Sequence, residues 1–571
     1  MKKLRLVLFL VTLISFALFP SQIFAQNIDP QYIFVRKDPM SCNPSDCSQL
    51  WNMDAPNKDF YPGITDVYNK VGTHGNDQRK LGIGVQIIYN EYNFDNIKQS
   101  LRSLLNYSKV HSVPIFLSLD GFQWWGDVNQ WNGRPDLWNW WDLRGPGYNP
   151  DNKNNVEWTC GNSSCAINKS WRNWGSEFEV RPHPNLASRA FIEADKQRLS
   201  ELIPIIVNWY NNDLSADQKW LLGGIALGTE VDIGGNYYYP GGGIANSQQL
   251  GFAAINTLGL SGGITAGNLN EVIRRYLSEL DKFAFDSGIL RNKIFNHVGG
   301  SDLFPRSNNL MYQTAEAAVN AYGNPGWSFY SDVTQNPQNF SGLTTALNQV
   351  NNGEWASPEW LTWAGDNNGW AQALRNSLNY RNNRFINIAN WEGIRDKQYI
   401  LDALKTVLGE SPSCWVTTPY MDNVSISGNT ATLQWQKGTN NDAVYLNVST
   451  AGEFTEAGTL KVINTVNDAV TDRNSYTMNS LGSGKYYWTL AADGCTNQRK
   501  IASGRFEIAS ATPTPFPGDL NGDNKVDIFD YNVLVANFGK TGAAGWIAAD
   551  INSDGKVDIF DYNVLVGNFG K

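Results

Sequence analysis

Over roughly the first 410 residues, short apolar runs alternate with longer stretches in which apolar positions recur every three or four residues. The runs are "YIFVRKDP" from Tyr32, "GIGVQIIYN" from Gly82, "PIFLSLDG" from Pro114, "GGIALGTEVD" from Gly223, "KIFNHVGG" from Lys293, "GWSFYSDV" from Gly326, "EWASPEWL" from Glu354 and "RFINIANWEG" from Arg384. Each suits a strand buried on both faces. Between them, Phe94, Ile97, Leu101, Leu104 and Leu105 share one helical face. So do Val272, Ile273, Tyr276, Leu277, Leu280 and Phe283, and later Ile400, Leu401, Leu404 and Leu408. Eight strand–helix units over residues 26–410 predict an α/β fold, a (β/α)8 TIM barrel with long loops. A doubly wound open sheet is the other arrangement that this alternation permits.

The period changes to two over residues 411–509. "TATLQWQ" sets Ala431, Leu433 and Trp435 against polar neighbours, and "KYYWTLAA" places Tyr486, Trp488 and Leu490 on one face. Turn signals such as "SGN" and "LGSGK" separate these runs, which predicts an all-β sandwich. The pattern resembles a fibronectin type III or Ig-like module. Residues 510–518, "SATPTPFPG", read as a Pro-rich, semi-rigid linker.

The remaining segment, residues 519–571, contains a duplication. "DLNGDNKVDIFDYNVLVANFG" from Asp519 and "DINSDGKVDIFDYNVLVGNFG" from Asp550 differ at four of 21 positions. In the first copy Asp519, Asn521, Asp523, Asp527 and Asp530 fall at loop positions 1, 3, 5, 9 and 12, with Lys525 offering a backbone carbonyl at position 7. In the second copy the same places are Asp550, Asn552, Asp554, Asp558 and Asp561, with Lys556 at position 7. Hard oxygen donors at this spacing wrap a Ca²⁺ ion, so two calcium ions are expected. Gly555 takes the tight-turn position of the second loop, and Asn524, which tolerates left-handed geometry, takes that of the first.

Composition narrows the function classes. The chain has 571 residues, a formal charge of −9 and 17% charged residues, which gives no basic footprint for nucleic acid. Aromatic residues make up 13%, with 22 Trp. Such rings fill cores and also stack on the apolar faces of sugars. Residues 1–25, "MKKLRLVLFLVTLISFALFPSQIFA", have the basic, apolar and small-residue regions of a secretory signal, with a retained anchor as the alternative. Later apolar runs are too short and interrupted to span a membrane. The six cysteines fall into local groups, Cys42 with Cys47, Cys160 with Cys165, and Cys414 with Cys495, as expected of disulfides in an oxidising compartment.

In a barrel, chemistry gathers at the C-terminal ends of the strands. Glu230 follows the fourth apolar run and Glu359 lies near the end of the seventh. Glycoside hydrolysis needs two carboxyl groups, one to protonate the leaving oxygen and one to attack the anomeric carbon or activate water. The region resembles the clan A barrel glycoside hydrolases, which carry catalytic glutamates on strands four and seven. That resemblance implies Glu230 as acid/base and Glu359 as nucleophile. It also implies Tyr330 as a hydrogen-bond partner of the nucleophile and Trp391, in "NIANWEG", as a sugar-stacking ring. Thr229 stands where the clan usually has an Asn that contacts the substrate 2-hydroxyl.

Among the other carboxylates, Glu392 is the rival to Glu359, and Glu354 is placed at the start of its strand, on the wrong face. Asp120 and Asp232 are expected to bind substrate or orient neighbours. Trp124 and Trp125, in the long insertion from Phe122 to about Asn185, and Tyr237, Tyr238 and Tyr239 are expected to supply walls or sugar platforms. His297 and Arg36 are open between structural and site roles.

The duplicated loops, each ending in Asp and followed by one helix, resemble a type I dockerin domain, a small all-α calcium-binding module. That resemblance implies a cohesin-bearing scaffold as partner, engaged through loop positions 10 and 11. Those positions are Ile528 and Phe529, and Ile559 and Phe560, an apolar pair that implies a more hydrophobic interface than polar pairs would make. Packing of these side chains inside the module is the alternative. The expected protein is thus a secreted, multidomain glycoside hydrolase acting on a poly- or oligosaccharide, with a retaining two-glutamate mechanism, attached to a scaffold. The alternatives are a non-catalytic carbohydrate-binding protein and a cell-surface structural protein on the same barrel.

Overall fold

The computed structural model describes residues 29–37, 62–90, 94–122, 133–173, 177–236, 247–299, 301–304, 309–412, 414–495, 498–509 and 516–571. Eight parallel strands form one sheet: β1 (Gln31–Arg36), β2 (Arg79–Ile88), β3 (Ile115–Asp120), β4 (Leu222–Ala226), β5 (Ile294–Phe295), β6 (Gly326–Tyr330), β7 (Trp355–Leu361) and β8 (Asn383–Ile388). Their order is β6-β7-β8-β1-β2-β3-β4-β5. Parallel bridges from Phe295 to Asn324 and from Val298 to Trp327 join the two edges of the sheet. The ring is therefore closed, as a TIM barrel requires and an open sheet does not.

Helices α1 (Pro62–Val71), α2 (Phe94–His111), α3 (Arg189–Asn208) and α4 (Ala266–Asp286) follow β1 to β4. After β6, β7 and β8 come α5 (Ser341–Gln349), α6 (Asn367–Asn379) and α7 (Gln398–Leu408). Between β5 and β6, among the described residues, a 3-10 turn, Ala315–Ala318, takes the helical place. The fourth apolar run is expected to continue as strand to Asp232, but the strand stops at Ala226. Gly228 and Glu230 have φ of 158° and 47°, which takes the chain out of extended geometry.

The two-residue period of the strands sorts their side chains into two cores. Ile33, Val35, Ile115, Leu117 and Leu119 face outward into the layer between strands and helices. Tyr32, Phe34, Phe116, Phe295 and Phe385 face inward and fill the barrel. The Phe385 ring lies 4.7 Å from Phe116, 4.9 Å from Phe295 and 5.3 Å from Phe34. Gly82 and Gly223 make room for this cluster, since a Cβ there would stand 2.6 Å and 2.3 Å from the Phe34 ring. Towards the C-terminal ends of the strands the inward residues become polar: Arg36, Gln86, Ser118, Asp120, His297 and Ser328. The barrel is plugged by aromatics below and lined by hydrogen-bonding groups above.

At the opposite end a buried ionic network ties the barrel to the following domain. Arg384 pairs with Asp29 and lies 3.4 Å from Glu354, which also accepts from Lys500 Nζ at 2.6 Å. The backbone N–H of Thr418 donates to Asp29 at 2.7 Å. Glu354 is thus engaged away from the polar mouth, as its position at the strand's start implies.

The later region is a pair of sheets. One contains β9 (Tyr420–Ser427), β10 (Thr430–Gln436) and β13 (Ser475–Met478). The other contains β11 (Ala443–Ser449), β12 (Val466–Ala469), β14 (Gly484–Gly494) and β15 (Gln498–Ile508), with β11 antiparallel to both β12 and β14. Ala431, Leu433, Trp435, Tyr486, Trp488 and Leu490 are all buried, as their alternation predicts. Disulfides join Cys160 to Cys165 and Cys414 to Cys495. Cys42 and Cys47, the signal-like residues 1–25 and most of the Pro-rich linker lie outside the described residues.

Two compact units make up the chain. The first comprises residues 1–425, 432–477 and 486–506; the second comprises Ile426–Ala431, Met478–Lys485 and Glu507–Lys571. The second holds α8 (Ile528–Asn537) and α9 (Ile559–Asn568), around a small core of Val526, Leu534, Ala549, Val557 and Leu565. Among the described residues no helix is long and apolar enough to cross a membrane.

Because Phe385 touches three other rings of the barrel plug, Phe385→Ala should lower stability by about 3–5 kcal/mol. Denaturant unfolding followed by near-UV circular dichroism, with its strong tryptophan signal from the barrel, checks this. A change under 1 kcal/mol would mean that the plug does not hold the barrel together.

Candidate functional site

The segment that leaves β4 and the strand β7 bring Glu230 and Glu359 together. Glu230, Glu359 and His297 each place a ligating atom within 4.8 Å of the others. Tyr330, the last residue of β6, sits between the two carboxylates. Its hydroxyl lies 2.5 Å from Glu359 Oε1 and 3.0 Å from Glu230 Oε1. Glu359 also accepts from the guanidinium of Arg36, which in turn donates to Gln86. Gln86 Nε2 donates to Asp120 at 2.6 Å, so a polar chain runs Asp120–Gln86–Arg36–Glu359.

Backbone irregularities aim both glutamates. On β7, Ala356 faces the barrel interior and Trp360 the outer layer. Glu359 is three residues beyond Ala356, so strict alternation would send it outward. Register shifts on both sides of this stretch mark a β-bulge at Pro358, which turns Glu359 inward. Glu230 sits in the left-handed region. Gly299 gives it room, since a Cβ at Gly299 would stand 2.8 Å from that of Glu230. A non-glycine residue held at positive φ costs about 1–3 kcal/mol, and such strain gathers at functional sites.

The electrostatic settings of the pair differ. Glu230 is partly exposed, and Ser328 Oγ donates to it at 2.7 Å. Burial of its carboxyl, and next the charge of Glu359, push its pKa up to about 7, against the pull of Ser328, Arg36 and Tyr330. Burial, then the two glutamates, hold the Tyr330 phenol well above its ordinary value. Burial and Arg36 hold His297 well below its own, so its ring is neutral. Ser328 gives its one proton to Glu230 and therefore accepts from His297 Nε2, 2.9 Å away. The site pairs a carboxyl whose pKa is raised with one bonded to a guanidinium, a combination suited to acid and nucleophilic or base chemistry.

Other sequence-predicted residues fall in different places. Asp120 is buried and accepts from the Phe122 N–H at 3.0 Å as well as from Gln86. Thr229 is buried, with its hydroxyl 2.5 Å from that of Ser118. Trp391 departs from expectation. It is 1% exposed, and its Nε1 donates to Asp66 at 3.2 Å, so it has no open face for a sugar. Its strand ends at Ile388, and the left-handed Asn390 starts a short helix, Trp391–Ile394, that turns the ring into the core. Glu392, on that helix, pairs with Lys37 and Arg395 rather than with the Glu230 cluster. Trp124, Trp125, Tyr237, Tyr238 and Tyr239 lie outside the described residues. Ser328 and Gln86 also belong to the site, although neither is among the residues expected from the sequence. Ser328 lies two residues before Tyr330 on the same inward face of β6, and Gln86 follows the inward Gly84, so the strand period was the signal for both.

The duplicated loops in the second unit share their backbone bonding, and the first gathers carboxylates at one centre. Asp519, Asp523 and Asp530 bring carboxylate oxygens within 4.8 Å of one another. Asp519 accepts from the N–H groups of Gly522, Asp523 and Asn524, and Asp530 from those of Leu520, Asn521 and Asp527. Asp550 and Asp561 repeat these bonds around Asn552, Asp554, Gly555 and Asp558. Asn524 and Gly555 both have positive φ, as the tight turn requires. Asp527 and Asp558 also cap α8 and α9, each in a capping box with the Asp three residues on. Lys525 and Lys556 stand between the carboxylates at position 7, where only a backbone carbonyl is asked of them. This all-oxygen set fits a hard divalent cation.

Residues 517–569 match the family described as dockerin type I domain. The C-terminal segment is a type I dockerin. Its position-10 and -11 side chains are not packed inside: Ile528, Phe529, Ile559 and Phe560 are 53%, 63%, 52% and 62% exposed. No curated protein sequence matches the chain. Among solved structures, an endo-beta-1,4-mannanase double mutant from Cellulomonas fimi is 11% identical, with 77% of this chain and 88% of that chain covered and a TM-score of 0.31. GH26A from a Muricauda species is 8% identical, covering 66% and 89%, with a TM-score of 0.33. The catalytic domain of a Paenibacillus polymyxa beta-amylase is 9% identical, covering 67% and 98%, with a TM-score of 0.31. Scores at this level transfer no activity.

If the Glu359 charge helps hold a proton on Glu230, Glu359→Gln should move the Glu230 titration down from about 7, as read by carboxyl ¹³C NMR. An unchanged midpoint would leave burial as the whole cause. In the dockerin, removing calcium with a chelator should speed amide hydrogen exchange across residues 519–571 of the full chain and leave the barrel strands protected. Equal protection with and without chelator would show that the loops hold their shape without a cation.

Proposed function

We propose that this protein is a glycoside hydrolase that works with retention of anomeric configuration. The observation that carries this reading is the placement of two glutamates, in unlike electrostatic settings, with oxygens within 4.8 Å of each other at the barrel's C-terminal mouth. Retaining enzymes hold their carboxyl groups about 5–5.5 Å apart, and inverting ones about 6.5–9.5 Å apart to admit a water. Closest oxygens within 4.8 Å leave little room for such a water between them, which favours the retaining case.

In this reading Glu359, ionised beside Arg36, attacks the anomeric carbon. The glycosidic C–O bond breaks as Glu230 gives its proton to the leaving oxygen. Glu230, now a carboxylate, takes a proton from a water that attacks the same carbon, which frees Glu359 and restores Glu230. Tyr330 keeps Glu359 oriented through the first step, and Ser328, held by His297, orients Glu230. The electrostatics agree with these roles, since the acid must still carry its proton near neutral pH.

The substrate is a poly- or oligosaccharide. The dockerin attaches the enzyme to a cohesin-bearing scaffold, and two Ca²⁺ ions held by the duplicated loops keep that module folded. The exposed Ile–Phe pairs fit a cohesin with an apolar recognition surface. The signal-like N-terminus and the disulfides support secretion.

Glu230→Gln should slow hydrolysis of an unactivated glycoside by about 10²–10⁴-fold, and much less for an aryl glycoside whose leaving group departs without a proton. Glu359→Gln should abolish turnover of both. The wild-type rate should fall as pH rises through about 7, because Glu230 then loses the proton it must donate. Proton NMR of the first-formed sugar should show the anomeric configuration of the substrate. Inversion would overturn the nucleophile assignment, and full activity in both variants would overturn the hydrolase reading.

A further inference from the structure

Trp391 cannot stack on a sugar, so the barrel mouth needs another apolar platform if it is to hold one. Two exposed aromatics continue outward from Tyr330. Phe304 meets the Tyr330 ring edge-on at 5.7 Å, and Trp363 lies 6.5 Å from Phe304. An aromatic path therefore runs outward from Tyr330, whose hydroxyl sits between Glu230 and Glu359. Phe304 is 41% exposed and Trp363 59%, whereas every other described barrel tryptophan is buried or half-buried.

Neither ring hangs on a loose segment. The Phe304 N–H donates to the Ser301 carbonyl at 3.0 Å, and its neighbour Leu303 is buried in the core. Asp302 accepts from the Ala315 N–H at 2.7 Å, and Gly342 leaves space for that carboxylate. Trp363 follows the buried Thr362, whose hydroxyl accepts from Gln335 Nε2 at 2.8 Å. It precedes Ala364, whose carbonyl accepts from Trp370 Nε1 at 3.0 Å. The buried Leu303 and Thr362, each just before an exposed ring, anchor two large apolar side chains that face water, a placement that folding alone does not reward. Among the described residues no cation lies over either ring, which leaves their faces open to a neutral ligand.

We propose that Trp363 and Phe304 form a sugar subsite next to the Glu230–Glu359 pair, taking a pyranose ring through its apolar C–H face. This rests on the hydrolase reading above and specifies it. The substrate extends beyond the residue being cleaved, along the side of the mouth where β7 exits. A small glycoside with one sugar reaches the carboxylates without touching the platform, whereas an oligosaccharide engages both.

The test is calorimetric binding of cellohexaose, mannohexaose and xylohexaose to full-length Glu359→Gln protein, which binds without turning over, with and without a second substitution. Trp363→Ala and Phe304→Ala should each weaken the hexasaccharide that binds by about 3–10-fold, the range of one lost aromatic contact. Trp363→Phe, which keeps a flat face, should weaken it less. Both rings are exposed, so the variants should unfold at the parent's denaturant midpoint, and that is to be checked. Equal affinity in all variants would overturn the platform and leave the carboxylate reading standing. Absence of binding by any of the three sugars, even without the second substitution, would overturn the platform and count against the hydrolase reading as well.

Discussion

Two carboxyl groups with oxygens within 4.8 Å of one another are the constraint on which the barrel mouth depends. If both were ionised, they would repel by roughly 3 kcal/mol at an effective dielectric near 20. The simplest relief is for one of them to keep its proton, and the surroundings decide which. Arg36 pairs directly with Glu359, whereas the groups bonded to Glu230 are the neutral hydroxyls of Ser328 and Tyr330. Ser328 is bonded to a neutral His297, and among the described residues the cation nearest in effect, Arg36, is bonded to Glu359 rather than to Glu230. The asymmetry is built from neighbours, since the two side chains are chemically identical.

Holding that pair demands departures from regular strand geometry. A barrel of ideal strands would send Glu359 into the helix layer and would not place Glu230 in the left-handed region. The bulge at Pro358 corrects the first, and Gly299 makes the second sterically tolerable. These irregularities can persist because the surrounding structure over-determines them. Below the site lies the aromatic plug of Phe34, Phe116, Phe295 and Phe385, and around it the continuous strand–helix core. A packed barrel that resists deformation is what keeps the two carboxyl groups at short range.

This division explains what could be read from the amino-acid order. The eight strands were legible because a strand buried on both faces must be nearly all apolar, and such runs stand out against the helical spacing between them. Glu230 and Glu359 were legible as carboxylates interrupting or ending those runs, and the calcium loops because their ligand spacing repeats. Trp391 was misread because the chain leaves β8 through a left-handed Asn390, and nothing local announces which way a ring turns after that. The bulge at Pro358 left only a proline as its trace. Phe304 and Trp363 carried no pattern at all; they are single aromatics outside the strands, and their proximity to Tyr330 is a property of the closed ring. Ser328 and Gln86, by contrast, lay on faces that the two-residue period already defined.

The dockerin shows a different economy of residues. Its core is small, centred on Val526, Leu534, Ala549, Val557 and Leu565, and a segment of this size gains little from apolar burial alone. Asp527 and Asp558 fix the helix starts and stand at ligand position 9, while Asp530 and Asp561 complete the capping boxes and stand at position 12. A cation bound there would act on the same side chains that begin the helices, so metal binding and helix formation are coupled through shared residues. Those helices start at Ile528 and Ile559, which with Phe529 and Phe560 are the most exposed large apolar side chains of each repeat. Whatever orders the loop therefore orders the apolar pair beside it.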